Sequence, residues 1–130
     1  FGENRGAPSP ADCGIVPVAS RALLEAATRA VSAVTLAQSV ADYIVRLVRA
    51  TRESPDLAGG ASPRAALLLA GAARARAALD GRDYVVPDDV KALAPSVLRH
   101  RLLLSPAAEI EGKQVEALVA YLVEQTEAPR

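Results

Sequence analysis

An alanine-dominated run from Ala65 to Leu79, opened by Ser62-Pro63 and closed by Gly81, restricts this chain more than any other stretch. Proline suits the first position of a helix, where its missing N–H is no loss, and Ser62 is placed to cap it. Gly81 suits the left-handed residue just past a helix end. The spacing predicts a helix from Pro63 to about Asp80. Alanine adds little bulk to a helix surface, so other helices can approach closely and this one is expected to be central and buried. Arg74 and Arg76 must then point outward or find partners.

The core has to be built from small aliphatic residues, because the 130 residues are 51% apolar but only 3% aromatic. That length suits one domain. Formal charge is zero, with 15 basic and 15 acidic residues. A protein that holds nucleic acid by its phosphates usually presents a net basic face, so that class starts poorly supported. Cys13 and His100 are the single cysteine and histidine. They allow no internal disulfide and no four-ligand zinc site, although composition leaves carboxylate-bound magnesium open. No apolar run approaches the roughly 20 residues a membrane helix needs. The opening Phe1-Gly2-Glu3-Asn4-Arg5 carries no signal-peptide pattern, and a cytoplasmic location is the expectation.

Along the chain, the breakers Gly2, Gly6, Pro8, Pro10, Gly14 and Pro17 make 1–19 a linker or extended arm. Ile15, Val16 and Val18 could pack down locally, as an extended Val-Pro-Val stretch. Ser20 is placed to cap a first helix over 21–32, with Leu23, Leu24, Ala27 and Val31 at helical spacing. A second helix, 37–52, carries the stripe Val40, Ile44, Leu47 and Val48 and an i, i+4 pair, Asp42 with Arg46. Residues 53–61 read as a loop. After the alanine helix, Tyr84-Val85-Val86 is extended, and Pro87-Asp88-Asp89 opens a fourth helix with two acids near its positive end. Its stripe is Val90, Leu93, Ala94, Val97 and Leu98, and Pro95 should kink or split it. Residues 103–111 read as a loop, and Val115, Leu118, Val119, Leu122 and Val123 define a fifth helix ending near Gln125. The expected fold is all-α: a small bundle of about five helices over 20–126, with an N-terminal arm and a tail at 127–130.

Arg64 is the principal candidate for a functional residue. It falls in the first turn of the alanine helix, where backbone N–H groups favour an anion, and its fixed, always-charged donors can reach a phosphate. Its plain alternative is a solvated arginine held slightly against the helix dipole. Gly59 and Gly60 would let a ligand or another domain come close to the backbone, or would simply relax a turn. Arg52 reads as a structural group near the end of the second helix. Arg99-His100-Arg101 could contact an acidic partner, but a solvated face with a partly buried histidine is the preferred reading. His100 has no evident nucleophile to serve, Ser62 lacks a nucleophile-elbow motif, and Asp88 and Asp89 are explained by helix capping. No catalytic residue and no metal site is assigned.

Four segments in order carry a family likeness: Asp42-Tyr43-Ile44-Val45 with Thr51-Arg52; Gly60-Ala61-Ser62-Pro63-Arg64-Ala65; residues 81–94; and Val97-Leu98-Arg99-His100-Arg101. Together they resemble the C-terminal helical lid of AAA+ ATPases of the MoxR family, over roughly residues 15–125. Val86 departs from the pattern, which often has a threonine cap there; valine cannot cap, a loss of about 1 kcal/mol. The resemblance implies that Arg64 is the sensor 2 residue touching nucleotide phosphates, with Gly60 and Ser62 as lesser nucleotide-side positions. It implies ATP or ADP with magnesium in an intact parent, a ring that is usually a hexamer, and remodelling of partners that often carry a von Willebrand factor A domain.

No G-x-x-x-x-G-K-[ST] phosphate loop occurs, and Lys91 and Lys113 are the only lysines. The chain by itself is therefore expected to be inactive and to bind nucleotide weakly, with 1–19 as the arm leading from a catalytic core. Two other classes stand beside this one. One is a stand-alone helical protein-interaction module that uses no nucleotide. The other is a histone-like nucleic-acid binder, suggested by 81–94 and opposed by the neutral charge.

Overall fold

The computed structural model describes residues 9–129. Six α-helices occur among them: α1 (Arg21–Ala33), α2 (Gln38–Glu53), α3 (Pro63–Leu79), α4 (Pro87–Leu98), α5 (Pro106–Ile110) and α6 (Val115–Gln125). The all-α expectation holds, with two additions inside segments read as loops. Leu57–Gly59 (β1) and Leu103–Leu104 (β2) pair antiparallel, and Pro106–Ile110 forms the short helix α5. These elements are too short to show any periodicity, so the sequence pattern could not reveal them.

Helix α3 is the centre of the bundle, packed by α1, α2 and α4, while α6 closes the far side against α4 and α2. Its buried line is Ala65, Leu69, Ala73 and Ala77, one residue per turn and all without solvent exposure. Three alanines in that line let the neighbouring helices come close, and Leu69 fills the remaining gap. The facing stripes are Val40, Ile44, Leu47 and Val48 of α2, joined by Tyr43, and Val90, Ala94 and Leu98 of α4. Helix α6 adds Leu118, Val119, Leu122 and Val123.

Caps and turns follow local chemistry in some places and depart from it in others. Ser20 caps α1 by accepting the Leu23 N–H at 3.2 Å. Gly81 takes the left-handed conformation, φ 73°, that ends α3. Ser62 occupies the N-cap position of α3, but its hydroxyl makes no cap hydrogen bond, so the expected side-chain cap is absent. Pro95 does not split α4, which continues to Leu98 and then tightens into a 3-10 turn at Arg99–Arg101. A proline three residues from the helix end removes one bond where the ladder is already finishing.

The expected Asp42–Arg46 pair is not made. Asp42 instead accepts from Gln38 Nε2 at 2.8 Å, and Arg46 Nη2 donates to the Glu127 carbonyl at 3.0 Å. Together with Ala128, which packs on the core, that bond extends ordered packing past the end of α6. Tyr84-Val85 is extended as expected and bridges in parallel to Thr35, with the Val85 N–H donating to the Thr35 carbonyl at 3.0 Å.

The arm behaves as an exposed segment over 9–19; its residues 1–8, with Gly2, Gly6 and Pro8, lie outside the described residues, as does Arg130. It holds one 3-10 turn, Pro10–Cys13, in which Ser9 and Asp12 cap each other. Ile15, Val16 and Val18 do not pack down; Val18 is 95% exposed. Helix α1 likewise buries no residue fully, and Leu23 and Leu24 face solvent.

Candidate functional site

The N-terminal end of α3 is built on the C-terminal end of α2. Thr51 is the last core position of the α2 stripe, one turn past Leu47 and Val48, and it is fully buried. Its Oγ1 donates to the Val48 carbonyl at 2.7 Å and accepts the Ala61 N–H at 2.9 Å. One hydroxyl therefore joins the helix that ends to the segment that begins the next one. Arg52 adds a second tie, donating from Nη1 to the Ala61 carbonyl at 3.3 Å.

Gly60 allows this contact to form. A Cβ on it would lie 2.7 Å from Arg52 Cα, Arg52 Cγ and the Thr51 carbonyl oxygen. Two of those three atoms are backbone and cannot swing aside. The glycine is needed here for close approach to α2, whereas β1 directly before it pairs with β2 and fixes the path of the chain from the other side.

From this anchored segment Ser62, Pro63 and Arg64 emerge at the surface. Arg64 is the second residue of α3, exposed, and its side chain makes no hydrogen bond or ion pair with the described residues. No carboxylate lies in the first turn of α3. A guanidinium there carries five donors that are free for a ligand, at a helix end whose N–H groups attract anions. Beside it runs an apolar groove of about 360 Å³ between α2 and α3, lined by Val45, Val48, Arg52, Pro63, Ala66 and Leu67. Leu67 is 75% exposed on its rim.

The comparisons with known proteins bear on the same segment. The family model of the AAA lid domain matches residues 49–121, more than half of the chain. The chain belongs to the AAA lid domain family. Within it, the similarity runs to MoxR proteins. The chain is 44% identical over 101 residues to the uncharacterized protein YeaC of Bacillus subtilis, covering 78% of this chain and 32% of that protein. It is 40% identical over 101 residues to the chaperone MoxR1 of Mycobacterium tuberculosis, covering 71% of this chain and 27% of that one. A crystal structure of a candidate ATPase from Cytophaga hutchinsonii superposes with a TM-score of 0.74 at 32% identity, over 78% of this chain and 34% of that chain. This chain is thus a lid region of the MoxR type, and it spans about a third or less of the relatives it matches.

In this lid, Gly60, Ser62 and Arg64 are brought to one end of α3, but they do not present themselves alike. Arg64 and Ser62 face outward, while Gly60 is half-buried against α2. Arg99, His100 and Arg101 lie elsewhere, in the turn after α4, and all three are exposed. The preferred reading of a partly buried His100 is therefore corrected: a 3-10 turn at the helix end lifts it off the core. Arg99 approaches Glu116 at 3.8 Å, a surface pair of little energetic weight.

At the opposite end of α3, Asp89 is buried and organises the turn into α4. Its Oδ2 accepts the Val86 N–H at 3.0 Å, and Arg82 holds both carboxylate oxygens. Arg76 stands 3.5 Å away. The Arg82 hydrogen bonds hold the Asp89 carboxyl below the usual carboxylate range, and the Val86 N–H helps against the opposing effect of burial. In return, Asp89 and then Asp80 push the Arg82 guanidinium up. Val86 lacks a capping oxygen, and Asp89 at the third helical position makes the bond from the other direction. Asp88, its neighbour, is exposed and among the described residues pairs with Lys91 at 3.2 Å.

Two residues of this lid were not singled out from sequence. For Thr51 the available signal is a threonine continuing the Leu47–Val48 stripe, which puts a hydroxyl into the core. For Arg82 the signal is an arginine between Gly81 and a helix-opening Asp89, which suits a clamp across a turn.

Proposed function

We propose that this chain is the nucleotide-sensing lid of a MoxR-type AAA+ ATPase and that Arg64 reads the phosphates of bound ATP or ADP. The observation that supports this most directly is the unpaired Arg64 guanidinium at the α3 N-terminus. Arg76, Arg82 and Arg99 have acidic partners, while Arg74, whose Nε is buried without a hydrogen-bond partner among the described residues, lies further along α3, away from its N-terminus. Phosphate chemistry fits those free donors, but the described residues offer no glycine-rich cradle for the remaining oxygens. A catalytic core elsewhere in the parent would therefore supply the phosphate loop and the magnesium, and the isolated lid would bind nucleotide very weakly.

In this reading the lid sits over the nucleotide, and contact between Arg64 and the phosphates sets its angle. Loss of the terminal phosphate changes the contact, so the lid pivots, with residues 1–19 on the hinge side of a bundle spanning 20–126. Such motion follows from differential contacts in two nucleotide states. In a ring of subunits, a hexamer in the usual arrangement, the pivot would be passed to neighbours and used to remodel a partner in the cytoplasm. A partner with a von Willebrand factor A domain is the class to try first. No described helix is long and apolar enough to cross a membrane. A nucleic-acid reading gains nothing from the fold, since Arg82 in the 81–94 segment is engaged with Asp89.

The test is Arg64→Ala in the full-length parent. ATP turnover should fall about tenfold or more, while thermal unfolding of the lid stays unchanged, because an exposed, unpaired side chain contributes little to stability. Unchanged turnover would remove the assignment.

A further inference from the structure

We infer that Thr51 is a positioning residue for Arg64, a role that rests on the phosphate reading of Arg64 given above. The Thr51 hydroxyl is buried and uses both of its hydrogen-bonding functions on backbone, donating to Val48 in α2 and accepting from Ala61. Ala61 is itself fully buried and stands three residues before Arg64. Between them are Ser62, whose hydroxyl caps nothing, and Pro63, whose ring fixes one backbone angle. The direction in which Arg64 leaves the bundle is therefore not set by a side-chain cap at its own helix end. It is set one step earlier, where Thr51 and the close-packed Gly60 hold the chain on α2.

The consequence is mechanical. Arg64 belongs to α3 but is registered against α2, so any tilt of the α2–α3 pair carries the guanidinium with it as one body. A ligand pulling on Arg64 pulls on α2 through the Ala61 N–H. A side chain attached to a loose loop would instead follow the phosphate without moving the lid. Small displacements matter here, because a shift of about 1 Å in a positioned group can lower a rate by about a hundredfold.

The experiment is a double-mutant cycle in the full-length ATPase, with Thr51→Val and Arg64→Ala alone and together. The readouts are ATPγS affinity by calorimetry and the separate kcat and KM for ATP. Thr51→Val keeps the shape and removes the hydroxyl. With Arg64 present, it should weaken ATPγS binding and lower kcat/KM by about tenfold. In the Arg64→Ala background it should cause no further loss, since coupled residues act non-additively. Thr51→Ser, which retains the hydroxyl, should stay within about twofold of the parent.

Equal losses from Thr51→Val in both backgrounds would overturn the inference, because the role would then be general support of the fold. The same holds if Thr51→Val melts the lid below the assay temperature. If Arg64→Ala changes neither affinity nor turnover, the phosphate reading itself fails. If Arg64→Ala is damaging and Thr51→Val is not, only the positioning role is lost.

Discussion

The Arg82 guanidinium grips both oxygens of the Asp89 carboxylate, Nη1 to Oδ2 at 2.9 Å and Nη2 to Oδ1 at 2.7 Å, across the turn that joins α3 to α4. Asp89 is 3% exposed and also accepts the Val86 N–H. Removing the carboxylate strands that N–H and leaves a half-buried guanidinium without its partner. Asp89→Ala should therefore destabilise the bundle by about 3 kcal/mol. Asp89→Asn, which keeps one acceptor, should cost less. Urea unfolding followed by circular dichroism measures both, and a loss no larger than that of an ordinary surface substitution would show that the clamp is not holding the turn.

The same pair gives a signed pH dependence. Hydrogen bonds from Arg82 hold the folded-state Asp89 carboxyl below its ordinary value of 3.8. A carboxylate lowered on folding contributes fully above its unfolded value, and that contribution disappears as pH falls through the folded one. The stability gap between the parent chain and Asp89→Asn should be constant from about pH 7 to about pH 5 and shrink below about pH 4. Urea midpoints at a series of pH values check this; a gap that widens with acid would reverse the sign. Asp12 is also lowered, by its hydrogen bonds with Ser9, but both chains carry it, so it cancels from the gap.

What the sequence made legible was whatever repeats along a helix. The α2, α4 and α6 stripes are visible as apolar spacing, and the alanine content of α3, which is apolar on nearly every face, marks it as the central element. Contacts that depend on where the chain returns in space were not visible. The β1–β2 pair joins Leu57 to Leu104, and Arg46 reaches Glu127; neither has a local signature. At the candidate site, the order Gly60 to Arg64 was readable as a motif, and the exposure of Arg64 follows from its place at a helix start. The partner of Gly60 was not, since only the folded chain shows that its missing Cβ makes room for the end of α2.

Gly60→Ala tests that contact directly. The added methyl would meet Arg52 and Thr51 atoms at 2.7 Å, and the two backbone atoms among them must move rather than rotate away. The expected cost is about 1–3 kcal/mol, the usual range for overpacking. Thermal unfolding should show the loss, and weakened protection of the Ala61 N–H from hydrogen exchange should localise it. A variant as stable as the parent would mean that the segment relaxes freely and does not register α3 on α2.

Gly71 makes the opposite prediction in the helix that follows. It lies in the middle of α3, exposed, with nothing within 4 Å of the position a Cβ would take, and no positive φ. A glycine there carries only a cost, because the unfolded chain gains freedom from it and the helix gains no contact. Gly71→Ala should therefore raise stability by about 0.5–1 kcal/mol, which is a few degrees in Tm for a domain of this size. The two substitutions are chemically identical; the helix interior favours the alanine at position 71, and the close contact with α2 opposes it at position 60. A stabilising Gly71→Ala beside a destabilising Gly60→Ala would assign the difference to packing against α2. A loss of stability at Gly71 would instead mean that this face of α3 is covered in solution, and measuring the mass of the protein by light scattering would show whether a second copy covers it.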